Sequence, residues 1–187
     1  MTPSIQLSNG LYYNFENPDP SVITLEVVAN ALANICRFTG HVSRFYSVAE
    51  HCVRCSYLGP DDEALERLMH DAAEALVADM PSPMKRMAGM EAYRAADHAA
   101  EAVIAKRFNL TYPWPVSVGI ADIKMLATEW VDLLPPSDDK TEWLMLEGIE
   151  PVAGSSLASQ SGRPETWKRA FIRRYHELSA ARTAVTA

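Results

Sequence analysis

Positive charge is scarce in this 187-residue chain: 17 lysines and arginines stand against 24 aspartates and glutamates, a formal net charge of −7. That deficit argues against a general nucleic-acid binder, which carries a basic stripe along its contact face, so no stable nucleic-acid partner is expected. It leaves room for a small phosphorylated ligand, because one or two cations in a pocket, or a metal, suffice to hold it. Cysteine is sparse as well, limited to Cys36, Cys52 and Cys55. The count is odd for a disulfide framework, and the opening MTPSIQLSNG has no basic residue and no apolar stretch of the signal-peptide kind. A reducing, cytoplasmic setting is the expectation. Cys52 and Cys55 form a CxxC with no thioredoxin-like strand before it, and small hydrophobes packed in a core are the favoured reading. Apolar runs are short and broken by charge, which excludes a membrane span. Alternating β-branched stretches are missing too, so the class expected is all-α.

What is present is enough for a core. Hydrophobic residues make up 48% of the chain, and its length supports one domain without staples. A single domain over residues 1–187 is expected, with an irregular N-terminal arm and a C-terminal helical extension. Tyr12, Tyr13 and Phe15 are candidate anchors of the arm. Val27, Val28, Ala31, Leu32 and Ile35 recur at helical spacing, predicting a helix from Thr24 to about Arg37–Gly40. Ser47 followed by Glu50 is a capping box that starts the next helix, which Gly59-Pro60 stops. Asp61 or Asp62 caps a third, with Leu65, Leu68, Met69, Ala72, Ala73 and Leu76 on its apolar face and Asp79 at its end. A short turn over Met84–Met87, a helix over Glu91–Phe108 and another over Ser117–Leu134 follow. Residues 135–163 read as a long loop. Pro164 opens a last helix to about Ala181.

The chemistry-bearing feature is His70-Asp71 inside the third helix. Neighbours on a helix point about 100° apart, so both reach one ion only over the edge between them. Glu74 sits one turn on, over the same edge. An imidazole and two carboxylates buried together are costly without a partner, and a divalent cation resolves the charge. His51, beside Val48, Ala49 and Val53, faces inward. Asp122 lies in a later helix, where an aspartate also serves as an ordinary first-turn charge.

The segments Tyr46-Ser47-Val48-Ala49-Glu50-His51, Leu68-Met69-His70-Asp71-Ala72-Ala73-Glu74 and Ala121-Asp122 closely resemble the HD-domain phosphohydrolases. Among these they look most like the small bacterial and phage branch of 5'-deoxynucleotidases and deoxynucleoside triphosphate triphosphohydrolases, phage dATP triphosphohydrolases included. The resemblance covers about Cys36 to Glu129. It implies a compact helical bundle with His51, His70, Asp71 and Asp122 as metal ligands. Arg37-Phe38 stands where such 5'-deoxynucleotidases carry arginine and tryptophan, which implies Arg37 as a phosphate contact and Phe38 as a base-stacking surface. Glu74 and Asp79 match acidic positions near the reacting water and leaving group. Pro83-Met84-Lys85 resembles a Pro-Leu-Lys segment and offers Lys85 to a phosphate, and His41 is a further phosphate contact or acid. Plain readings stand beside these: Arg37 also suits a helix C-terminus, Phe38 and Trp114 also suit a core, Lys85 the surface, and Glu129 either the rim of the site or solvent. His98 and His176 have no metal partner at useful spacing.

The expected activity is metal-assisted hydrolysis of (deoxy)nucleotide phosphoesters with Asp71, Glu74 and Asp79 in the chemistry, 5'-deoxynucleotidase-like. A deoxynucleoside triphosphate triphosphohydrolase is the alternative enzyme, for which His41, Arg44, Lys85 and Arg86 would meet the longer phosphate chain. A non-catalytic metal-binding interaction module is the alternative class. The ligand set suits Zn, Mn, Co or Fe, with Mg as an additional substrate-bound ion. A nucleotide substrate, no membrane partner and a homo-oligomer, at least a dimer, complete the expectation.

Overall fold

Two hydroxyl caps start the helices that frame the site. The structure, a computed structural model, describes residues 2–139, 141–160 and 162–186, so Met1, Lys140, Ser161 and Ala187 lie outside the described residues. Thr24 Oγ1 accepts the Val27 N–H at the start of α1 (Leu25–Asn34), and Ser47 Oγ accepts the Glu50 N–H at the start of α2 (Val48–Cys55). Each satisfies one of the amide donors that a helix start leaves unpaired. The reciprocal half of the capping box does not form, because the Glu50 carboxylate is held by Arg44 and Arg54 instead.

Helix α1 stops at Asn34, short of the expected Arg37–Gly40. The chain turns extended, and Cys36 pairs with Ser47 in an antiparallel bridge, flanked by Arg37 N–H to Tyr46 O and Val48 N–H to Ile35 O. Residues Arg37–Gly40 form a separate tight turn in which Phe38 and Thr39 take φ of 56° and 50°. No right-handed helix admits that conformation. The bridge pins Arg37 beside α2.

The third expected helix is also divided. A 3₁₀ turn at Asp61–Glu63 leads into α3 (Ala64–Met69), and α4 (Glu74–Val77) follows a break at residues 70–73. Across the break Ala72, Glu74, Ala75 and Leu76 bond three residues back, which winds the chain more tightly than an α-helix. His70-Asp71 therefore sits in a turn between two short helices rather than in mid-helix. Helix α5 covers Ser82–Lys85, earlier than the expected turn because Pro83 fits a helix's first turn. Helix α6 runs Glu91–Phe108 and α7 Val116–Leu133, as expected within a residue. The 135–163 segment carries 3₁₀ turns at Thr141–Leu146 and Leu157–Ser159. Helix α8 runs Pro164–Thr186, beyond the expected end.

The class is all-α. Helices α1, α2 and α3 pack against α8, and α7 lies on α2 and α3. Val28, Leu32, Cys52, Leu68, Ile104 and Phe171 are fully buried in one cluster. The α8 stripe serves this core: Trp167, Ile172 and Tyr175 pack against it beside Phe171. The arm is more regular than expected. It forms an antiparallel hairpin of β1 (Ser4–Gln6) and β2 (Tyr12–Asn14). Strand alternation turns Tyr13 inward, edge-on to Phe15 at 5.2 Å, and leaves Tyr12 in solvent. Among the described residues no helix is long and apolar enough to cross a membrane.

Candidate metal centre

Four side chains from three parts of the chain converge. His51 comes from the first turn of α2, His70 and Asp71 from the break after α3, and Asp122 from the second turn of α7. His51 Nε2 lies 3.3 Å from His70 Nε2, 3.2 Å from Asp122 Oδ1 and 3.6 Å from Asp71 Oδ2. His70 Nε2 lies 3.3 Å from Asp71 Oδ1 and 4.0 Å from Asp122 Oδ1. These are the separations of atoms sharing one small cation at bonds of about 2.0–2.2 Å.

The second nitrogen of each ring decides what the cluster wants. His51 Nδ1 meets Glu129 Oε1 at 2.6 Å, and His70 Nδ1 meets the Arg67 carbonyl at 2.9 Å. Both partners are acceptors, so both Nδ1 atoms carry the proton and donate. In the neutral rings both Nε2 atoms are then bare lone pairs facing two carboxylates. Metal-ligating histidines are oriented in this way. The electrostatics agree. Burial and Arg37 press the His51 pKa down, yet Cys55, Glu129 and the Asp122 contact hold it well above its ordinary value. Burial pushes Asp122 up, but the bond to His51 and the charges of His51, His70 and Arg37 hold it well below the usual carboxylate range. The cluster favours positive charge, and His51, His70, Asp71 and Asp122 fit a divalent ion.

Arg37 and Glu129 form the support. Glu129, fully buried, lies two turns after Asp122 on the same face of α7 and orients His51. Arg37 bonds Asp71 Oδ2 at 3.3 Å and Glu129 Oε2 at 3.1 Å. Its terminal nitrogens are thus committed to carboxylates, one of them a candidate ligand. The solvent reading of Glu129 and the helix-end reading of Arg37 both fall away, because the tertiary fold closes over them.

A cavity of about 350 Å³ opens above this floor. Arg37, Asp71, Glu74, Asp79, Lys85 and Asp122 are among its polar lining residues, and Phe38, Met80, Leu126, Trp143 and Met145 among its apolar ones. Glu74 lines the cavity, and its Oε2 is buried with no hydrogen-bond partner among the described residues. Burial pushes the Glu74 pKa well up, helped by Asp71 and Asp79, and burial also raises Asp79. Lys85 reaches the cavity but is paired to Asp97 at 3.0 Å. His41 is exposed and does not line the cavity. His98 pairs with Glu101 on the surface. Trp114 stands in a second cleft that His70, Asp71 and Asp122 also line, where its indole donates to Glu101. Sequence reasoning missed Trp143 and Met145, which arrive from the 135–163 segment, Trp143 stacked on Trp130 at 5.7 Å. It also missed the two thiols near the histidines, although Cys55 at four residues after His51 was a readable signal.

An all-α fold with this floor and cavity defines a class, a protein with buried histidines and partly exposed aspartates that could hold a metal ion. The chain belongs to the same family as the uncharacterized protein YfdR of Escherichia coli, with which it shares 37% identity over 178 residues, 95% of this chain and 97% of that protein. An uncharacterized protein of Rhodobacter capsulatus is 28% identical over 186 residues, 92% of this chain and 94% of the relative. No family model matches the chain.

Proposed function

We propose that this chain is a metal-dependent phosphohydrolase of the HD type that releases phosphate from deoxynucleoside monophosphates. The observation that carries the reading is the pair of Nδ1-locked imidazoles whose Nε2 lone pairs face Asp71 and Asp122 under an open cavity. His51, His70, Asp71 and Asp122 would hold the ion. When bound, it supplies a Lewis acid for a phosphoryl oxygen and lowers the pKa of a neighbouring water.

The residues divide the rest of the work. Glu74 accepts a proton from the attacking water at its unpartnered Oε2, and burial makes it a stronger base than an exposed carboxylate. Asp79, at the cavity wall, returns a proton to the leaving oxygen. Arg37 holds Asp71 in place and presents the edge of its guanidinium to the phosphate. Phe38, Met80, Trp143 and Met145 offer flat and apolar surface to a nucleobase. Charge count favours one phosphate over three. Arg37 and Lys85 are already paired to carboxylates, which leaves Arg86 as the cavity cation without a side-chain partner among the described residues.

Assaying the metal-loaded protein against deoxy- and ribonucleoside mono- and triphosphates tests this directly. Inorganic phosphate from deoxynucleoside monophosphates is the expected product. Triphosphate release would move the assignment to a triphosphohydrolase, and bound metal with no turnover would make the chain a metal-binding module. A homo-oligomer belongs to the same proposal, and a concentration-independent monomer mass by light scattering would reject it.

A further inference from the structure

We propose that Cys55 supplies a further donor, its Sγ, to the ion held by His51, His70, Asp71 and Asp122. The inference rests on the metal-centre reading and is independent of the reaction catalysed. Cys55 lies one helical turn beyond His51 and is fully buried. Its Sγ stands 3.4 Å from His51 Nε2, as near as the other donors: His70 Nε2 at 3.3 Å and Asp122 Oδ1 at 3.2 Å. Sγ and a ring nitrogen of each of His51 and His70 lie within 4.8 Å of one another, near enough for all three to reach one ion at bonds of about 2.0–2.3 Å.

A simple S–H bond to His51 is the rival account. It leaves the same Nε2 facing another imidazole lone pair and two carboxylates, which one weak donor does not satisfy. The other acceptor near the sulfur, the Ala121 carbonyl, is 4.0 Å away, at the limit for such a bond. Cys52 is the competing thiol, grouped with His70 and Asp71. Cys55 is preferred because its sulfur lies 3.4 Å from His51 Nε2 and is grouped with both imidazoles, whereas Cys52 is grouped with His70 alone of the two. Coordination takes the thiol as thiolate, its proton passing to solvent. A soft donor biases the centre toward zinc, cobalt or ferrous iron and away from magnesium and manganese.

Cobalt(II) loading of the full chain is the test. Wild type is expected to show a sulfur-to-cobalt charge-transfer band in the near ultraviolet, and Cys52→Ser to keep it. Cys55→Ser and Cys55→Ala are both expected to lose the band and to hold cobalt at least about tenfold more weakly. Bound cobalt with no such band in wild type overturns the proposal without relying on any variant's folding. Loss of the band in Cys52→Ser alone overturns it in favour of Cys52. Both of those results leave the His/Asp centre standing. Failure of wild type to bind cobalt, or full retention by His70→Ala, overturns the centre and with it the thiolate.

Discussion

Helix α2 carries two buried polar clusters, one around Glu50 and one around His51, and they differ in how donors and acceptors balance. Glu50 Oε1 accepts from Arg44 at 2.6 Å and from Arg54 at 2.8 Å and 3.1 Å, and Oε2 accepts from Arg44 at 2.9 Å. One carboxylate meets two guanidiniums and no lone pair faces another. The same arginines reach on to the Leu157 carbonyl and the Gln160 side chain, so the cluster fastens the loop after α7 to α2. Around His51 the balance is reversed. Two imidazole Nε2 atoms and two carboxylates gather with Arg37 as the neighbouring cation, and Glu74 Oε2 is left unpartnered nearby among the described residues. The first cluster is closed and structural. The second has a surplus of acceptors, an arrangement that could hold a cation.

Substitutions should separate the two. The largest effect is expected from His70→Ala, which opens the acceptor-rich cluster. Elemental analysis should find the divalent ion gone and nucleotide turnover abolished, and metal content equal to wild type would contradict the assignment. Next comes Glu74→Gln, which keeps the shape and loses the basic oxygen. Metal content should stay unchanged while kcat falls about 10²–10⁴-fold, and an unchanged kcat would move the proton to Asp79.

Glu50→Ala attacks the closed cluster. It strands Arg44 and Arg54, so chemical denaturation should show a loss of about 3 kcal/mol, while the folded protein keeps its ion. Loss of metal at full stability would erase the difference between the two clusters. The smallest effect is expected from Glu129→Gln, which weakens the orientation of His51. Metal affinity should fall about 10–100-fold, read by competition with a chelator.

Parts of this were legible without coordinates because they are local. Ser47 three residues before Glu50 marks a helix start whatever the helix packs against, since the cap bonds within one turn. The Glu91–Phe108 and Val116–Leu133 helices follow from composition bounded by prolines. The arm was misread because Ser4–Gln6 and Tyr12–Asn14 are each too short to carry an alternation signal, and they pair only with each other. The division of the third helix was hidden because Leu65, Leu68, Met69, Ala72 and Leu76 keep helical spacing through a turn wound only slightly tighter.

The residue types of the centre belong to the sequence. His51, the His70-Asp71 pair and Asp122 stand out by spacing and by resemblance, and inward-facing neighbours put His51 in the interior. What the sequence could not decide is which groups face each other across elements. Glu129 was as plausible in solvent as in the core until α7 was laid on α2 and brought its carboxylate to His51 Nδ1. Arg37 read as a helix end or a phosphate contact, and only the Cys36–Ser47 bridge shows that it also holds Asp71 and Glu129. Trp143 reached the cavity through a segment with no periodicity to read. Helix starts and amphipathic faces depend on neighbours within a turn, so the sequence by itself determined them. Ligand support, cavity walls and the nearness of Cys55 to both imidazoles depend on contacts between residues far apart in the chain, and only tertiary packing sets those distances.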